Sequence, residues 1–397
     1  MKKATILALV LIFFLCLNFA ASSENTQPIE IRSVEDLALI EGNTSGHYIL
    51  MNDLDLNGSD WKPIGEFSNG INTFFEGTFD GNGKAISNFT IFGSYGNYDN
   101  IGFFKFIEKN GTVKNLVLKD VQIKGGQFAG CVAGYNKGTI ENCHVINATI
   151  ENEGYAGGIT GSSQTVISNC SFNGSIKSIT AGGIVGTNIG DLKSCFTNSN
   201  IEGMESKNMI SGSAGGIAGA NFGVIENSYS VGTIKGEDFT GGIAGGNYVG
   251  SVPGGGVIIY SYAANTITGT NDAVGGITGV NKGFINNCVA ANDKIEGKRK
   301  IQFISPLRIE IGGGGSVGRI AGDADYDKIP ENCYSSNEMK TNKLWFNGIN
   351  GQKMPLAEIT ETFPENIWTE WNTNIWKTNP DAENSTTSQM PILTWQI

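Results

Sequence analysis

The sequence predicts an all-β protein: a right-handed single-stranded parallel β-helix with about three short strands per turn and capped ends. Three observations predict it. A glycine-pair unit recurs along the chain at Gly130 (followed by Cys131), Gly157, Gly182, Gly215, Gly241 and Gly275, and at Gly318 with Arg319 in second place. The steps between these are 27, 25, 33, 26, 34 and 43 residues, a period that means stacked units rather than one globular core. Aliphatic residues stand at fixed offsets from each pair, with Gly and Asn at the corners between them.

The offsets define the strands. An aliphatic residue follows every pair: Val132, Ile159, Ile184, Ile217, Ile243, Ile277 and Ile320. A second column holds Ile140, Ile167, Leu192, Ile225 and Ile285, and a third Ile150, Ile176, Ile201, Ile234, Ile267 and Ile295. Strands this short cannot bury a face alone, but coiled and stacked they line one continuous interior. Parallel crossovers strongly favour a right-handed path.

In chain order, residues 1–22 read as a secretory signal peptide. Lys2 and Lys3 precede an apolar run from Ala4 to Leu17, followed by small residues around Ala20 to Ser23. Its removal takes two lysines and no acid, so the net charge of −11 becomes −13. That balance argues against nucleic acid as a partner. No second apolar run of membrane length follows, so no membrane insertion is expected after signal removal. Residues 23–75 read as an N-terminal cap, with a short helix from Ser33 to Ile40. Residues 76–335 are the β-helix. Residues 336–397 carry Trp345, Trp368, Trp371, Trp376 and Trp395, and read as a C-terminal cap whose large side chains plug the open end of the coil.

Two columns within the repeat stand out. Asn142, Asn169, Asn227, Asn287 and Asn332 share one corner, as amides stacked in a structural ladder would. The next residue is Cys143, Cys170, Cys195, Cys288 or Cys333, with Ser228 and Ser261 in other units. A position shared by Cys and Ser looks like a small packed side chain, so these thiols are expected mostly reduced.

Three segments carry a family resemblance. Asn52-Asp53-Leu54-Asp55-Leu56, Trp61-x-Pro-Ile-Gly and Phe79-Asp80-Gly81-Asn82-Gly83 resemble the N-terminal part of GLUG-repeat proteins. The Gly-Gly-Ile-x-Gly-x-Asn-x-Gly-x-Ile-x-Asn-Cys units resemble the GLUG motif itself, and Met390 to Gln396 the family's closing segment. The resemblance implies a secreted or surface-attached β-helix of adhesin-like type. Related repeats accompany the protease domain of immunoglobulin-A-specific metalloproteases. Here the only histidines, His47 and His144, form no His-Glu-x-x-His motif, so a zincin site is not expected.

The functional expectation is therefore an extracellular or cell-surface adhesin-like binding protein that displays loops to a glycan or protein partner. A passive structural element of an envelope or matrix is the alternative, and a glycan-active enzyme the third. No catalytic constellation, metal site or cofactor is expected, and the chain reads as a non-enzyme. Recognition is expected where the repeat is interrupted. The insertions after Ile201 and Ile295 leave at the same corner, and the larger carries Lys298, Arg299, Lys300, Phe303 and Arg308. That local positive charge on an acidic protein suits an anionic partner.

Overall fold

The computed structural model describes residues 27–396 except 69–70, 95–98, 206–211, 251–254, 271–272, 298–299, 305–308, 314–315, 326, 343–348, 362 and 380–389. The signal-peptide assignment therefore lies outside the described residues. The fold is a parallel β-helix. Each turn contributes to four parallel sheets rather than three. One turn runs Phe128–Gly130 in the first sheet, Ala133–Asn136 in the second, Thr139–Glu141 in the third and His144–Glu151 in the fourth. The extra strand arises because the glycine pair itself bends the chain. The aliphatic residue after the pair sits at that bend instead of within a strand.

The two glycines of a pair have different neighbours. A Cβ on Gly157 would lie 2.2 Å from the Thr160 carbonyl oxygen and 2.4 Å from Val185 Cα of the next turn. The first glycine therefore lets backbone pack on backbone. A Cβ on Gly158 would lie 2.2 Å from the Phe172 ring, which points inward from the fourth sheet. The second glycine makes room across a thin interior. Phe103 and Cys131 occupy the matching place in earlier turns, where the interior is filled by Phe79, Phe89 and Phe104.

Register is fixed by the aliphatic columns. Ile150, Ile176, Ile201, Ile234, Ile267 and Ile295 pair strand to strand and are at most 3% exposed. Each such burial stabilises by roughly 1.5–3 kcal/mol, and a one-residue slip would expose a whole column.

Parallel pairing begins earlier than the expected cap boundary. Ile29–Ile31 and His47–Leu50 already belong to the third sheet, and Leu54–Asp60 to the fourth. Between the first two lie a 3₁₀ turn, Glu35–Leu37, and a short helix, Ala38–Gly42, that bury Leu37 and Ile40.

The plug assigned to the C-terminus is corrected. Ile349 and Gln352–Met354 do continue the last turn. From Leu356 onward, however, the chain doubles back along the outer flank of the fourth sheet. There the outward residues Phe196, Tyr229 and Tyr262 stack in register at 5.2 and 4.7 Å. Trp371 and Trp376 pack over the later part of this stripe, and Trp395 reaches back to Phe196 and His144. Trp368, Trp371, Trp376 and Trp395 belong to a second core outside the coil, while Trp345 lies outside the described residues. The apolar stripe on the flank, which the repeat period does not predict, draws them there.

Candidate functional site

The first and second sheets meet at the glycine-pair bend and enclose a concave groove of about 690 Å³ that runs along the coil axis. Its walls come from two outward columns. The residue two before the first glycine supplies Phe128, Tyr155, Thr180, Ser213 and Phe239. The second sheet supplies Tyr135, Ser162, Thr187 and Ala220, with Ile189, Phe222 and Tyr248 along the rim.

Parallel stacking brings aromatic residues that are 26 to 32 positions apart in the chain into van der Waals contact. Phe74 stacks on Phe106 at 4.6 Å, Phe106 on Tyr135 at 4.9 Å, and Phe128 on Tyr155 at 5.0 Å. Phe128 meets Tyr135 edge-on at 5.6 Å, which joins the two walls. Lys137 Nζ lies 5.1 Å from the Phe106 ring centre. A second group forms further along, where Phe222 stacks on Tyr248 at 5.1 Å near Phe239. Between the groups the walls are small and hydroxylated.

Hydrogen bonds fix parts of this surface. Gln164 Nε2 donates to the Tyr135 hydroxyl at 2.7 Å. Burial raises the Tyr135 hydroxyl above its ordinary range and pushes that of Tyr248 up to about 12, so both remain protonated donors at neutral pH. The Tyr248 ring folds across Gly246, where a Cβ would lie 2.3 Å from the Tyr248 oxygen.

Behind the second sheet runs a buried amide chain. Asn188 Nδ2 donates to Asn221 Oδ1, Asn221 to Asn247 and Asn247 to Asn281, each at 2.8 Å. In the earlier turns Asn136 donates to Ser163 Oγ at 3.1 Å. This chain holds the groove's second wall in register. The sequence signal was present as a Gly-x-Asn in five of the seven units.

The Asn column singled out from the sequence lies at a different corner. Asn142, Asn169, Asn227, Asn287 and Asn332 all have φ between 47° and 53°, as do Ser194 and, at 48°, Tyr260. Asn tolerates this left-handed backbone better than most side chains. Amide pairing there is local: Asn142 Nδ2 donates to Asn115 Oδ1, Asn115 to Asp80, and Asn332 to Asn286. Cys143, Cys170, Cys195, Cys288 and Cys333 are buried free thiols, as is Cys131. Each column thiol points at the carbonyl two residues back, at 3.1–3.4 Å, as Ser228 and Ser261 do.

For the expected binding corner, Lys298, Arg299 and Arg308 lie outside the described residues. The backbone around them forms an antiparallel hairpin, Lys300–Ile304 with Ile309–Gly313, which places Lys300 and Phe303 on its first strand. Among the described residues no group of three or more His, Cys, Asp or Glu is placed to hold a metal ion. No described helix is long and apolar enough to cross a membrane.

No protein-family model matches the chain. Residues of the chain are 32% identical over 116 positions to halomucin of Haloquadratum walsbyi, covering 27% of this chain and 1% of halomucin. They are 42% identical over 78 positions to a candidate Gly-rich membrane protein of Evansella cellulosilytica, covering 18% of this chain and 8% of that protein. The chain thus spans only a small part of either relative. A crystal structure of a candidate immunoglobulin A1 protease from Bacteroides ovatus aligns over 94% of both chains, with 22% identity and a TM-score of 0.48.

That structure corrects one expectation. The chain was read as a non-enzyme, and a structural neighbour that carries a protease description removes the ground for that exclusion. At this similarity the neighbour transfers neither an activity nor a catalytic residue to this chain.

Proposed function

We propose that this chain is an extracellular, adhesin-like binding protein of GLUG-repeat type, in which the β-helix is a rigid scaffold and the aromatic groove its recognition surface. One contrast carries this reading. The aromatic stripe on the fourth sheet is covered by the chain's own C-terminal segment, whereas Tyr135, Tyr155, Phe222 and Tyr248 remain partly exposed along the groove. A large concave patch of uncovered rings is the usual mark of a binding surface. The matches to segments of halomucin and of a candidate Gly-rich membrane protein support a surface setting. The basic corner with Lys298, Arg299, Lys300, Phe303 and Arg308 is a second proposed contact, for an anionic partner. Its hairpin leaves the coil at the turn that feeds the first sheet, one wall of the groove.

The test is attachment. Beads that carry residues 23–397 are measured for retention on glycan-coated and protein-coated surfaces, beside beads carrying the Tyr135→Ala, Tyr155→Ala, Phe222→Ala triple variant. The expected result is retention that the triple variant loses while its thermal unfolding midpoint stays within a few degrees. Equal retention of the two would sink the reading.

A further inference from the structure

We infer that the groove binds an uncharged polysaccharide strand laid along the coil axis. This rests on the groove being the recognition surface and adds the chemical class of its ligand.

Three features select that class. The first is the spacing of the rings. On the first sheet Tyr155 and Phe239 are three strand steps apart, and on the second sheet Tyr135 is three steps from Ala220, two residues before the rim residue Phe222. Three steps is about 14 Å. The groove therefore offers an aromatic platform near each end and, between them, a bed of Ser162, Thr180, Thr187 and Ser213. A sugar ring presents an apolar C–H face and a rim of hydroxyls. Its face stacks on an aromatic ring, and its rim bonds to side chains such as those of the bed and the Tyr135 hydroxyl. An elongated chain of rings meets both platforms at once, which no single small ligand does.

The second feature is charge. Among the described residues the only charged ones lining the groove are Lys282 and Asp323, of opposite sign and at one end. The protein as a whole carries −11, so a polyanion gains nothing in the groove and is opposed by the surrounding field. Among the described residues Asp323 is the one carboxylate lining the groove, too few to hold a polycation.

The third feature is the backbone. An extended peptide binds a β-protein best by adding a strand to a free edge. Among the described residues the walls of this groove leave such an edge only at Ala321–Ala324, the terminal strand of the second sheet, because the other lining strands bond to their neighbours in the turns before and after. A purely apolar guest, such as an acyl chain, would leave the Thr187 hydroxyl, which is buried without a hydrogen-bond partner, still unsatisfied. Stacking together with hydroxyl hydrogen bonding is what remains, and a neutral glycan uses both.

The experiment is calorimetric titration of the mature chain with neutral hexasaccharides (β-glucan, xylan and mannan fragments), an acidic hexasaccharide (oligogalacturonate) and an unstructured neutral peptide. At least one neutral hexasaccharide should bind, with affinity unchanged within twofold between low and high salt. Tyr155→Ala and Phe222→Ala should each weaken it by about tenfold, the upper end for one aromatic contact. Thr187→Trp, which fills the bed and leaves both platforms intact, should abolish binding of the hexasaccharide. It decides the matter if a ring variant proves unstable. Binding of the acidic sugar or the peptide instead, lost in the same variants, overturns the ligand class while the groove stands as the recognition surface. A neutral ligand whose affinity none of the three variants changes overturns both. No binding of any neutral probe at millimolar concentration overturns the inference.

Discussion

Trp376 donates its indole N–H to Asn227 Oδ1 at 3.1 Å, across 149 residues of sequence. The bond ties the C-terminal segment to a left-handed corner of the coil, at φ 51°. Around it, Tyr262 donates to the Pro391 carbonyl, Trp395 to the Ser194 carbonyl and Gln396 to the Tyr229 hydroxyl. The segment is thus a strap sewn to the flank at several points.

Trp376→Ala should therefore destabilise the protein by about 3–5 kcal/mol, the usual cost of deleting a buried Trp side chain. Trp376→Phe keeps most of the packing and should lose about 1–3 kcal/mol, because the Asn227 oxygen is left without its donor. Chemical denaturation of the three proteins measures both. Equal stability of all three would refute the strap.

Asn221 stands in the middle of the buried amide chain, with Asn188 before it and Asn247 after it. Asn221→Ala leaves the Asn188 amide and the Asn247 oxygen without those partners and should cost on the order of 3 kcal/mol. Asn173→Ala, on the exposed outer face, is the control and should stay within about 0.5 kcal/mol of the parent.

The left-handed column gives a signed pair of outcomes. Asn169 sits at φ 53°, where a β-branched side chain is strained. Asn169→Val should cost about 1–2 kcal/mol, whereas Asn169→Gly should be close to neutral. Denaturation midpoints that reverse this order would show that the amide matters more than the backbone.

His144 yields a pH dependence. Its ring stacks on Trp395 at 5.1 Å and bonds to Ser171 and Asn142, and burial holds the imidazole below its ordinary value of 6.5. The folded protein therefore binds this proton less readily than the unfolded chain. Its contribution is fully present above 6.5 and is lost as the pH falls through that value towards the lower folded one. Unfolding midpoints should drop between about pH 7 and pH 5, and His144→Gln should flatten that part of the profile.

The six buried thiols should be silent to a thiol reagent in the native mature protein and all react once it is denatured. Burial pushes the Cys170 and Cys288 thiols well above their ordinary range, which adds chemical inertness to inaccessibility. Fewer than six reactive groups after denaturation without reductant would reveal a disulfide.

The coil was legible in the sequence because inward positions repeat with the period. Ile176, Ile201 and Ile234 must meet the same environment in each turn, so the same residue type returns. Outward positions answer to no such constraint, and both outer features were missed for that reason. The strap's tryptophans are conspicuous, but nothing in their spacing says which surface they cover. That information lies in Phe196, Tyr229 and Tyr262, which share one offset on the fourth sheet. The groove was likewise written at one offset, in Phe128, Tyr155 and Phe239, but only where a second sheet exists to form its other wall. Reading three strands per turn instead of four removed that wall. The column of Asn stands at a left-handed corner, and that physical cause, backbone φ, is invisible to a count of residue types.

The strap also decides how this protein meets a mechanical load. A coil of parallel turns, pulled from its C-terminus, would peel one turn at a time from its last strand, each step opposed by a single row of hydrogen bonds. Here a pull on the C-terminus first reaches Trp395 and Gln396, which lie over turns far from the coil's end. Tension is delivered to the middle of the rod, and the final turns are bypassed until the strap has torn away. The segment from Leu356 to Gln396 thus acts as a tether that spreads force over many turns of the rod.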